Sequence, residues 1–153
     1  MLQIFVFGPI AITAGYWEQR GAEVESGARV EIRRVRPVEV PGAAPGVAGL
    51  QLSPIPDGIW RADLFRDERG VPVFHYHPRF EDGDVGQRYF DDQLTADPVG
   101  FVIDRLSALP SLLAEAGASD VMDDIDVEEI RRNLPLVRDA IERSFEPSPA
   151  PIR

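Results

Sequence analysis

The stretch that most constrains this chain runs from residue 59 to residue 77 (IWRADLFRDERGVPVFHYH). Two runs rich in aromatic and β-branched residues, 59–66 and 71–77, flank Asp67-Glu68-Arg69-Gly70. Such runs on either side of a short loop containing glycine predict a β-hairpin. Glycine at the end of the turn favours a type I turn closed by a G1 bulge, because that position needs a left-handed backbone. With the bulge, Asp63 stands opposite His75 and Arg61 opposite His77; a plain two-residue loop would place Ala62 and Trp60 there instead. A one-residue slip turns every side chain to the other face. The turn therefore decides whether the chain's only two histidines meet polar or apolar company, and the bulged register is the expected one.

Other strands are read from local pattern. Residues 2–7 (LQIFVF) form an apolar run ended by Gly8-Pro9, which predicts a strand buried on both faces. A second strand is expected over 10–17. In 28–40, Val30 and Ile32 alternate with Arg29, Glu31 and Arg33, which predicts a half-buried strand, with Pro37 marking an edge or an end. A loop over 41–49 and a brief strand over 50–55 lead to the turn Pro56-Asp57-Gly58, and 87–90 is expected to return as a further strand.

The pattern changes at Thr95. Asp97-Pro98 is a helix start, an N-cap followed by proline at the first helical position. Val99, Val102, Ile103, Leu106, Leu109, Leu112 and Leu113 then share one helical face. Pro110 is expected to kink or split this helix and Gly117 to end it. Residues 127–145 predict another helix, with Ile130, Leu134, Val137 and Ile141 inward and Pro135 dividing it. Strands first and helices last predict an α+β fold: an antiparallel sheet of about five or six strands with the C-terminal helices packed on one face. Residues 1–145 are expected to form a single domain, and 146–153, with three prolines, a disordered tail.

Composition removes several chemistries. There is no cysteine, which excludes disulfides, thiol nucleophiles, thiolate zinc sites and iron–sulfur clusters. All 16 basic residues are arginine, so Schiff-base and P-loop lysines are excluded as well. A net charge of −10 disfavours general nucleic-acid binding. The apolar N-terminal run lacks a charged leader region and is too short for a membrane span, which points to a cytoplasmic protein without membrane contact. No G-x-S-x-G elbow and no glycine-rich phosphate loop opening a helix are present.

One constellation carries chemistry. His75 and His77 are two apart on a strand and so share a face. With Asp63 opposite them they make a candidate site for a divalent metal such as zinc, iron or manganese, completed as an open site by Asp82, Asp84 or Asp91. The plainer reading is a pair of sheet residues with polar tips at the rim. The acidic runs Glu81-Asp82-Gly83-Asp84 and Asp123-Asp124-Ile125-Asp126 suit a hard cation but lack EF-hand spacing. Arg29, Arg33, Arg34 and Arg36 form the dense basic cluster. Arg33 and Arg34 are candidate anion or partner contacts, and Trp60 a candidate partner anchor. Against these stand a solvated strand and a core tryptophan. No catalytic residue is assigned.

These features lead to the expectation of a small acidic interaction protein without a cofactor. It would be an accessory, immunity-like or antitoxin-like subunit that binds a basic protein partner. An edge strand near 30–40 or an acidic helix face would make the contact, and self-association is compatible with the same edge. The alternative is a metal-dependent hydrolase or nuclease built on the His75/His77 strand. The order of hairpin, histidine-bearing strand, acidic turn and amphipathic helix resembles the layout of small bacterial toxin–antitoxin proteins, a likeness that assigns no residue a role.

Overall fold

A computed structural model of the chain describes residues 1–44, 48–51 and 57–149. Seven strands and four helices follow in order: β1 (Leu2–Phe7), β2 (Ile10–Arg20), β3 (Val24–Arg34), β4 (Arg36–Glu39), β5 (Ala48–Gln51), β6 (Gly58–Asp67) and β7 (His75–His77), then α1 (Asp92–Ala96), α2 (Pro98–Ser107), α3 (Leu109–Glu115) and α4 (Val127–Arg143). A 3-10 turn, Ser119–Asp124, precedes α4. The main sheet is antiparallel, in the order β1-β2-β3-β6-β7, and β4 and β5 form a separate two-stranded ribbon. The helices pack on one face of the main sheet, with α4 lying across β1, β2 and β3. The fold is α+β, as the order of patterns predicts. No helix among the described residues is long and apolar enough to cross a membrane.

The core lies between the sheet and the helices. Ile10, Ile12, Ala14, Ala28, Val30, Ile32, Trp60, Ala62, Leu64 and Tyr76 face Leu94, Val102, Leu106, Leu113, Ile130, Val137 and Ile141. The helix boundaries follow local chemistry. The Asp97 carboxylate accepts from the Gly100 amide at 2.9 Å with Pro98 at the first position of α2. Asp126 caps α4 by accepting from the Glu128 and Glu129 amides. Pro110 separates α2 from α3, and Gly117 ends α3 at φ +70°.

Several expectations are corrected. β1 is an edge strand with one face open: Leu2, Ile4 and Val6 are exposed, so the apolar run is not buried on both faces. An apolar run says only that water is avoided in some state, and nothing in it states how many neighbours the strand has. Residues 28–40 divide at Val35 into β3 and β4, and β3 is central, paired with both β2 and β6. It therefore offers no edge. Pro37 sits in β4, which among the described residues pairs only with β5. Residues 87–90 form no strand; Tyr89 alone exchanges two backbone hydrogen bonds with Tyr76, at 2.9 and 3.0 Å. Pro135 does not divide α4, because it lies on the exposed side and its missing amide costs one bond on the wet face. Of the strand expected over 50–55, residues 50 and 51 are in β5; residues 52–56, part of the 41–49 loop and the end of the tail lie outside the described residues.

Candidate metal centre

The hairpin of β6 and β7 sets the site. Arg61 pairs with His77, Ala62 with Tyr76 and Asp63 with His75, the register of the bulged turn. Gly70 adopts φ +80° and donates its amide to the Asp67 carbonyl at 2.9 Å. The Asp67 carboxylate accepts from the amides of Arg69 and Val71 at 2.9 and 2.8 Å, which holds the loop closed. Because β6 also pairs with β3, cross-strand rows run over the whole sheet. One is Leu2, Gly15, Arg29, Asp63, His75; its neighbour is Ile4, Thr13, Glu31, Arg61, His77. Both rows lie on the face away from the helices, apolar at the β1 end, ionic in the middle and imidazole at the β7 end.

Asp63, His75 and His77 each present one donor atom within 4.8 Å of the others. The three are nearly closed to solvent, at 2, 1 and 4 % exposure. The Asp63 carboxylate divides its work. Oδ1 accepts from Arg29 Nε at 2.6 Å, and Oδ2 lies 3.4 Å from His75 Nε2 and 3.6 Å from His77 Nε2. Burial by itself would raise the Asp63 carboxyl, but hydrogen bonds donated by His75 and His77 when their Nε2 atoms are protonated, and by Arg29, outweigh it and hold the group well below the usual carboxylate range. It is an ionised donor at neutral pH.

The tautomer of His75 follows from its other nitrogen. Nδ1 lies 2.7 Å from the Val73 carbonyl oxygen, which can only accept, so Nδ1 carries the hydrogen. In the neutral ring Nε2 is then a bare lone pair, and it has no hydrogen-bond partner. It faces Asp63 Oδ2, another acceptor. His77 Nδ1 is likewise buried without a partner. A proton between His75 and Asp63 would relieve that one contact, whereas a metal ion would engage all three donors at once. The spacing suits an ion: ligands about 2.0–2.1 Å from a tetrahedral zinc stand about 3.3 Å apart. Histidine ligands commonly donate their second nitrogen to a carbonyl, and ligating carboxylates accept hydrogen bonds of their own. Val73 and Arg29 stand in those two places.

The remaining candidates are dispersed. Asp82 and Asp84 lie in an exposed turn and Asp91 caps α1, so none joins the three-donor cluster. Arg33 is buried on the same face and its Nε donates to Glu31 at 2.6 Å. Arg34 points to the other face and grips Asp120 with both Nη atoms, at 2.7 and 2.9 Å. Trp60 is 1 % exposed, within the core and against Tyr76, away from any surface a partner would reach. The Arg29–Asp63 pair has no signal in sequence, since 34 residues separate the partners and only the β3–β6 pairing joins them. Comparison with protein-family models, with curated proteins and with solved structures gives no match for this chain.

Proposed function

We propose that this chain is a metal-binding protein whose divalent ion is held by Asp63, His75 and His77. The observation that carries the reading is the buried convergence of these three donors, with the His75 Nε2 lone pair facing the Asp63 carboxylate at 3.4 Å and no hydrogen between them in the neutral tautomer. Two imidazoles and one carboxylate suit zinc, iron or manganese. Three protein ligands are also the number found in catalytic zinc sites, where a water takes the fourth position. Metal-assisted hydrolysis would also need water and substrate to reach the ion, and the near-complete burial of the three ligands favours a held ion instead.

The test is a thermal-shift titration of metal-stripped protein with zinc, manganese, nickel, iron, calcium and magnesium. At a hundredfold excess over Kd a ligand of the folded state adds about 2.7 kcal/mol. For a chain of this size that raises Tm by about 5–11 °C. The shift is expected with a transition metal and is lost in His75→Ala and His77→Ala. No shift with any metal overturns the proposal.

A second reading is a protein-binding role, in which the chain is an acidic accessory, immunity-like or antitoxin-like subunit for a basic partner. It is supported by the net charge of −10 and by the exposed Leu2, Ile4 and Val6 on an edge strand. Affinity purification from the native host at low salt tests it. Recovery of no basic protein counts against it.

A further inference from the structure

On the ionic face of the sheet, next to the β1 edge, lies a hollow of about 520 Å³. Pockets for small organic ligands run from roughly 300 to 1,000 Å³. The hollow lies along the Leu2–Gly15–Arg29 row, where Gly15 lets Leu2 pack closely: a Cβ there would stand 3.0 Å from Leu2 Cδ1 and 3.3 Å from the Met1 carbonyl oxygen. Leu2 and Trp17, 56 and 50 % exposed, form apolar sides. Arg29, Glu31, Arg33 and Arg61 supply its charged lining.

The charges of Arg29 and Arg61 are incompletely compensated. Glu31 is divided between two guanidiniums, with Oε2 accepting from Arg33 Nε at 2.6 Å and Oε1 from Arg61 Nε at 2.5 Å. Arg29 uses Nε and Nη2 on Asp63 and Gln19. Among the described residues, Nη1 of Arg29 and Nη1 of Arg61 have no hydrogen-bond acceptor. Two fixed guanidiniums with donors to spare, lining a largely apolar hollow, match a planar anion. Arg61 is only 9 % exposed, so a slender group reaches it and a broad protein surface does not.

We propose that this hollow binds a small organic carboxylate, its charge against Arg29 and Arg61 and its apolar body between Leu2 and Trp17. Trp17 already lies 4.8 Å from the Arg29 guanidinium, so a flat body could extend the same stack. The hollow adjoins the metal centre and shares Arg29 with it, which donates to Asp63 through Nε and Nη2.

The experiment is calorimetric titration, in the presence of a chelator, with 1-naphthoate and with its neutral analogue 1-naphthamide. Saturable binding of naphthoate is expected, at least tenfold tighter than the amide. Leu2→Ala and Trp17→Ala each remove one apolar side at an exposed position without touching a charge. Each is expected to weaken naphthoate at least tenfold while circular dichroism stays unchanged. Equal binding of acid and amide overturns the proposal, as does naphthoate binding that survives both variants. Absence of binding overturns it too.

Discussion

Asp63→Ala is the most informative single perturbation of this protein. The carboxylate is 2 % exposed and accepts from Arg29 at 2.6 and 3.3 Å. Without it, the Arg29 side chain, itself 11 % exposed, keeps only a long 3.4 Å contact to Gln19 and its stacking on Trp17 and Phe65. Removing one partner of a buried ion pair leaves an uncompensated charge and costs about 3–5 kcal/mol. That is a large share of the roughly 5–15 kcal/mol that holds a domain folded. At about 2–4 °C per kcal/mol, Tm should fall by about 6–20 °C. Urea unfolding of metal-free protein at neutral pH, followed by tryptophan fluorescence, measures the loss. The double variant Arg29→Leu/Asp63→Leu removes both charges and should recover most of the stability, because apolar replacements of a buried pair are often neutral. A cost below about 1 kcal/mol for Asp63→Ala would mean that water screens the pair. A double variant no better than the single one would mean that the stranded arginine is not the source of the loss.

Other outcomes follow from particular residues. Gly27→Ala places a Cβ 2.2 Å from the Leu64 carbonyl oxygen at φ +151°, and should destabilise by about 3 kcal/mol or more in urea. Gly70→Ala meets nothing within 4 Å and strains only the φ +80° backbone, so about 1–2 kcal/mol is expected; equal costs for the two glycines would contradict this account. Phe90, 67 % exposed, lies 5.8 Å from the His75 ring. Phe90→Ala should leave the unfolding midpoint nearly unchanged while quickening modification of His75 by diethyl pyrocarbonate, read by mass spectrometry; an unchanged rate would show that Phe90 is not the cover. Asp67 beside Arg69 and Asp120 beside Arg34 have pKa values held below the usual range by those guanidiniums. A depressed folded-state pKa stabilises the fold above the unfolded value of about 3.9 and loses that contribution as pH falls through the folded value. Asp67→Asn and Asp120→Asn should therefore flatten the acid limb of the urea midpoint measured from neutral to strongly acidic pH, and an unaltered slope would refute the assignment.

Much of the candidate site was legible because its geometry is local. His75, His77 and Asp63 are brought together by one hairpin, and the register of a hairpin is set by its turn. Asp67 and Gly70 hold that turn through bonds spanning four residues or fewer. The helix start at Asp97 is legible for the same reason, since a cap acts within three residues. Pro135 misled because a proline's cost depends on the side of the helix it occupies, and only packing assigns that side. The run 87–90 misled because β-forming residues need a free edge of adequate length, and β7 offers three residues.

The sequence by itself determined the α+β class, the bulged hairpin and the face shared by His75, His77 and Asp63, all through interactions between near neighbours. Tertiary structure alone decided that β3 lies at the centre of the sheet, that Arg29 meets Asp63, and that Leu2 and Trp17 flank a hollow lined by Arg29 and Arg61. Those outcomes depend on which distant strands pair, a choice made by burying one shared core rather than by any local preference along the chain.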